Sequence, residues 1–86
     1  MASYELKWKP SASRELRHLP PPVIASLTTL IEGLKDNPHP SGAKKMTGMQ
    51  DIWRVREGDY RVVYRISGTI LTVEIIRVGH RREIYR

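Results

Sequence analysis

No cysteine occurs anywhere in the 86 residues, which excludes disulfide and thiolate chemistry. No apolar run approaches the roughly 18 to 20 residues a membrane-spanning helix needs, and the opening MASYELKWK has no apolar signal core. A cytoplasmic protein is therefore expected, with no membrane partner. The three histidines, His18, His39 and His80, show no i, i+4 or Cys/His spacing, so neither a metal nor another cofactor is expected. A Gly-rich phosphate loop is missing, and the layout gives no Ser/His/Asp set. With no repeat, low-complexity tract or linker either, residues 1–86 read as one domain. A domain of this size buries only about 60 to 65 per cent of its unfolded surface, so a stabilising partner is plausible.

What the chain does have is positive charge, unevenly placed. The net charge is +6, of which residues 1–43 carry +1 and residues 44–86 carry +5. The sequence pI is about 10.1. Clustered cations at that pI favour a nucleic acid or an acidic protein as partner over a neutral small molecule.

Periodicity predicts the elements in the order β-α-α-β-β-β. YELKWK alternates, placing Tyr4, Leu6 and Trp8 on one strand face until Pro10 ends it. Ser11 or Ser13 can cap a short helix carrying Ala12, Leu16 and Leu19, and Pro20, Pro21 and Pro22 close it and open the next. Val23, Ile24, Leu27, Leu30, Ile31 and Leu34 then mark the apolar face of a second helix, ended by Asn37-Pro38. Residues 39–51 read as a loop holding Lys44 and Lys45. Three strands follow, near 52–57, 59–67 and 69–79, with turns at Gly58 and Ser67-Gly68. The implied architecture is α+β, a helical hairpin on one face of a small, mainly antiparallel sheet whose other face stays open.

The strand block carries the chemistry. Trp53 and Val55 fall on one side of a strand, Arg54 and Arg56 on the other. A two-residue turn at Gly58-Asp59 sets Glu57 opposite Tyr60, Arg56 opposite Arg61 and Arg54 opposite Val63. Arg54, Arg56 and Arg61 then share one face, where their mutual repulsion is costly unless an anion sits on them. A polyphosphate is the implied guest. Trp8, Trp53, Tyr60, Val62 and Tyr64 read as core. A competing arrangement for Arg61 exists: a two-residue Ser67-Gly68 turn sets it opposite Glu74, as an ordinary cross-strand ion pair.

WRVREGDYRVVYRI and the later VGHRREIY, together with the early WKPSA and the NPHPSGAKKMTG loop, fall in one order along nearly the whole chain. In these pieces the sequence resembles the RelE/ParE superfamily of toxins, in particular its RelE-type mRNA interferases. The resemblance implies a microbial-ribonuclease-like fold, cleavage of mRNA in the ribosomal A site, and silencing by an acidic, RelB-like antitoxin. Carried over, the family's two basic positions on the second strand fall on Arg54 and Arg56, its third-strand arginine on Arg61, its arginine after the last strand on Arg81 and its C-terminal tyrosine on Tyr85. This chain departs from the best-known member, which has lysines at the positions of Arg54, Arg56 and His80.

Cleavage by 2′-OH attack needs a base, stabilisation of the crowded phosphate, and an acid for the leaving oxygen. Arginine suits only the middle task, since it stays protonated near neutral pH and its fork matches phosphate oxygens. Arg54, Arg56, Arg61 and Arg81 are therefore expected to clamp phosphate. Proton transfer falls to His80, which even spacing from Glu74 sets on the Arg61 face, and to Tyr85, which can also stack on a base. Lys44, Lys45 and Arg82 are candidates for general RNA attraction, the two lysines equally for loop solubility. Two other functions remain open: a ParE-like toxin that inhibits DNA gyrase by binding, and an inactive relative kept as an antitoxin-binding scaffold or transcriptional co-repressor.

Overall fold

A computed structural model describes residues 3–48 and 50–80 of the chain. Its elements are β1 (Glu5–Trp8), α1 (Pro10–Arg17), α2 (Pro21–Gly33), β2 (Lys44–Lys45), β3 (Ile52–Glu57), β4 (Tyr60–Ser67) and β5 (Thr72–His80). The strands form one five-stranded sheet in the order β1-β5-β4-β3-β2, with β1 parallel to β5 and every other pair antiparallel. This is the expected α+β arrangement with one strand added.

Both helices open on proline, whose fixed φ and missing N–H cost nothing in a first turn. For α1 this corrects the expected start: Pro10 begins the helix, the extended Lys9 takes the N-cap position without a side-chain cap, and neither Ser11 nor Ser13 fills it. The apolar stripe of α2 works as read. Leu27, Ile31 and the C-capping Leu34 are buried with Ala12 of α1 against Val55, Val62, Tyr64, Val73, Ile75 and Val78 of the sheet. Trp8, Trp53 and Tyr60 pack at the margin of this core.

The opposite sheet face is not bare. Ile52 and Val63 are 4% and 8% exposed and form a second small cluster with Met46 and Ile76. Buried apolar side chains thus pack on both faces of β3 and β4.

Two local features depart from the sequence reading. Residues 44–45 form an edge strand inside the expected loop, with Lys44 opposite Arg54 and Lys45 opposite Trp53. Two residues are too few to show a period, and lysine is the usual guard of a sheet edge. The β4–β5 turn spans residues 68–71, not two residues. Leu71 adopts φ 48, and the Thr72 hydroxyl donates to the Ile70 carbonyl oxygen at 3.2 Å. A left-handed leucine in a turn gives no sequence signal.

Candidate functional site

The Gly58-Asp59 hairpin closes as its two-residue turn requires, with Gly58 at φ 60. Glu57 opposes Tyr60, Arg56 opposes Arg61 and Arg54 opposes Val63. Side-chain alternation then sets Arg54, Arg56 and Arg61 on the face away from the helices. Arg54 and Arg61 are half-buried and Arg56 is exposed. On the far side of β3, β2 adds Lys44 to the same face.

Lys44 is delivered by a braced loop. The buried Tyr64 hydroxyl donates to the Pro38 carbonyl oxygen at 2.8 Å, and burial pushes the Tyr64 phenol up to about 12. His39 meets the Trp53 ring edge to face, centroids 4.6 Å apart. Gly42, at φ 91, then turns the chain into β2. The result is a cleft of about 320 Å³ lined by Gly42, Lys44, Arg54, Val55, Arg56 and Arg61. Among the described residues the lining has four cations and no carboxylate, which suits an anion carrying several charges.

Other expected residues fall elsewhere. Lys45 opposes Trp53, so it points to the other side of β2 from Lys44 and borders a separate depression with Met46 and Thr47. The longer β4–β5 turn slides the register, so that Glu74 opposes Arg65 and pairs with it at 3.7 Å. The alternative Arg61–Glu74 pair is thereby excluded; Arg61 opposes Gly79.

His80 is the largest correction. Val63 opposes Arg77 and Tyr64 opposes Ile75, which leaves Ile76 as the extra residue of a β-bulge. A bulge shifts alternation by one, so even spacing from Glu74 fails beyond it. Val78 is buried in the core on the helix side, and His80 opposes Tyr60, ring centroids 5.5 Å apart and nearly perpendicular. His80 thus stands on the Tyr60 face at the end of β5 and not on the Arg61 face. Arg81, Arg82 and Tyr85 lie outside the described residues.

Glu15, which the sequence reading passed over, proves central to this strand end. Its Oε1 accepts from the Val78 N–H at 3.0 Å and its Oε2 from the Arg77 guanidinium at 3.1 Å. A helical glutamate 62 and 63 residues from its two partners carries no sequence signal for such a role. Among the described residues, no three His, Cys, Asp or Glu side chains gather as metal ligands, and no helix is long and apolar enough to cross a membrane.

Comparison with known proteins gives a consistent picture. Residues 6–85 match the family described as the ParE toxin of type II toxin-antitoxin system, parDE. The chain is 34% identical over 84 residues to toxin RelG of Mycobacterium tuberculosis, covering 96% of this chain and 97% of that one. Its fold is similar to that of the toxin–antitoxin complex RelBE2 of Mycobacterium tuberculosis, with a TM-score of 0.79 at 32% identity, covering 92% of this chain and 99% of that chain. It is also similar to the isolated RelE toxin of Escherichia coli, with a TM-score of 0.81 at 28% identity, covering 96% and 92%.

Proposed function

The chain belongs to the RelE/ParE family of toxins of type II toxin–antitoxin systems, and on that footing we propose that it is an endoribonuclease that cuts mRNA in the ribosomal A site. The observation that carries this reading is the cleft in which Lys44, Arg54, Arg56 and Arg61 converge. Attack of a ribose 2′-OH on the adjacent phosphate builds negative charge on the non-bridging oxygens, and preorganised guanidinium groups stabilise that charge most. Bidentate arginine contacts also hold the sugar-phosphate chain in line for attack.

In this mechanism Arg54, Arg56 and Arg61 clamp the scissile and neighbouring phosphates, with Lys44 on the flank and Arg81 completing the set. Lys45, outside the cleft, and Arg82 add attraction for RNA. Proton transfer is assigned to His80 and Tyr85. His80 stands on the Tyr60 face and not on the clamp face, so it acts only by reaching round the end of β5 beside Gly79, which opposes Arg61. The clamp and the proton carriers are separable, since the first serves binding and the transition state and the second only the chemical step.

An antitoxin is the implied protein partner. The similar toxin of Mycobacterium tuberculosis is part of a toxin–antitoxin complex, and a basic surface with excess charge of +5 in residues 44–86 suits an acidic segment. Such a partner also stabilises a small domain by mass action. A second reading, inhibition of DNA gyrase by binding alone, is favoured by the ParE description of the matching family. Primer extension on a message under translation separates the two: new 5′ ends within translated codons support cleavage, and an intact message with broken DNA supports gyrase.

A further inference from the structure

β1 stops short of the end of β5. Its last register pair is Trp8 with Ile75, and the Lys9 N–H donates to the Ile75 carbonyl oxygen at 2.9 Å. Beyond Ile75, β5 has no strand on that side among the described residues, yet it is there that the bulge at Ile76 occurs. The carboxylate of Glu15 takes the place of the missing strand. It accepts from the backbone N–H of Val78 and from the side chain of Arg77, the two residues that follow the bulge.

The bulge decides what stands beside the clamp. With it, Gly79 opposes Arg61 and Val78 opposes Val62. An unbulged ladder would set Val78 opposite Arg61 and Gly79 opposite Tyr60, removing a core valine and placing its branched side chain beside the guanidinium. A bulge has one residue outside the ladder and gains little from it, so an external acceptor is needed to hold one arrangement.

We propose that Glu15 is a positioning residue of the cleft: by bonding Val78 and Arg77 from α1, it fixes the bulged register that keeps Gly79 opposite Arg61. The consequence for activity rests on the clamp reading given above, while the positioning itself does not. A helix that contributes nothing to the cleft lining thereby sets the surroundings of one of its cations.

The experiment uses the full chain labelled with ¹⁵N. In Glu15→Ala, the Arg61 Nε–H and Gly79 amide resonances should both move, and exchange of the Val78 amide should accelerate. Cleavage kcat should fall roughly 10- to 100-fold, as expected of a small misplacement in a preorganised site, with RNA affinity changed by less than about twofold. Glu15→Gln should restore most of the rate, because its amide oxygen still accepts from Val78. Should the alanine variant not fold, Glu15→Asp draws the carboxylate back by one methylene and must move the same two resonances. Unmoved Arg61 and Gly79 resonances in a folded variant overturn the proposal, as does a wild-type kcat in Glu15→Ala. If the wild-type chain cuts no RNA, the nuclease reading falls, while the resonances still decide whether Glu15 positions Arg61.

Discussion

Arg56 stands directly across from Arg61 on adjacent antiparallel strands. Two fixed positive charges at this spacing destabilise a sheet, and Arg54 and Lys44 deepen the effect in the same cleft. Ile52, Val63 and Met46 fill the apolar part of that face. A bound anion would relieve the repulsion between the cations. Adding a multivalent anion such as inorganic pyrophosphate should therefore raise the melting temperature of the wild type more than that of Arg56→Gln. Equal shifts would mean that the anion binds elsewhere.

Arg61→Gln should reduce RNA cleavage by about 10² to 10³, the range found when one donor to a developing oxyanion is removed, and melting should move little. Glu74→Ala is the matched control. It breaks the exposed pair with Arg65, worth about 0 to 1 kcal/mol, and should cut RNA like the wild type. Loss of activity in Glu74→Ala would mean that the anionic side of this face matters as much as the clamp.

Salt should weaken RNA binding with a slope of log K against log salt of roughly −3, from about four cations at around 0.7 per phosphate contact on a single strand. Lys44→Ala should lower the magnitude by about 0.7. Lys45→Ala, whose side chain leaves the opposite side of β2, should change it much less. Equal effects from the two lysines in fluorescence titrations would show that diffuse charge, and not the cleft, holds the RNA.

Burial raises the Tyr64 phenol from 10.0 to about 12 in the folded chain. The folded state thus holds its proton more tightly than the unfolded state. The stability linked to this group is fully present below pH 10 and is lost as pH rises from 10 through 12. Tyr64→Phe removes that component, so the variant's stability should fall less over this window. Near neutral pH the variant should lose about 1 to 3 kcal/mol, because the Pro38 carbonyl oxygen is left buried without its donor. Urea unfolding across pH measures both.

The hairpin that builds the clamp was legible because it is local: Gly58-Asp59 fixes the turn, and alternation then dictates which side chains share a face. The apolar stripe of α2 was legible for the same reason. The position of His80 was not, since one inserted residue at Ile76 reverses the face of everything after it. The turn at 68–71 depends on a leucine at φ 48, a conformation that no residue preference points to. Lys44 seemed a loop residue because a two-residue strand is created by its neighbour β3 and by the Tyr64 and Trp53 contacts that brace the preceding loop. Glu15 was invisible for a related reason: its role exists only where α1 meets the end of β5.

The assignment of proton transfer is tested apart from the clamp. His80→Ala should slow cleavage more than it weakens RNA binding, within the 10²- to 10⁴-fold range of general acid or base help. Normal rates in both His80→Ala and Tyr85→Phe would discard these two carriers while leaving the arginine cleft in place.

The chemical nature of the cut ends tests the central claim most directly. In a translation extract programmed with a defined message, the 5′ fragment should end in a 2′,3′-cyclic phosphate or a 3′-phosphate, and a message with a 2′-deoxy sugar at the cleavage position should resist. An intact message together with accumulating gyrase-cleaved DNA would contradict the account.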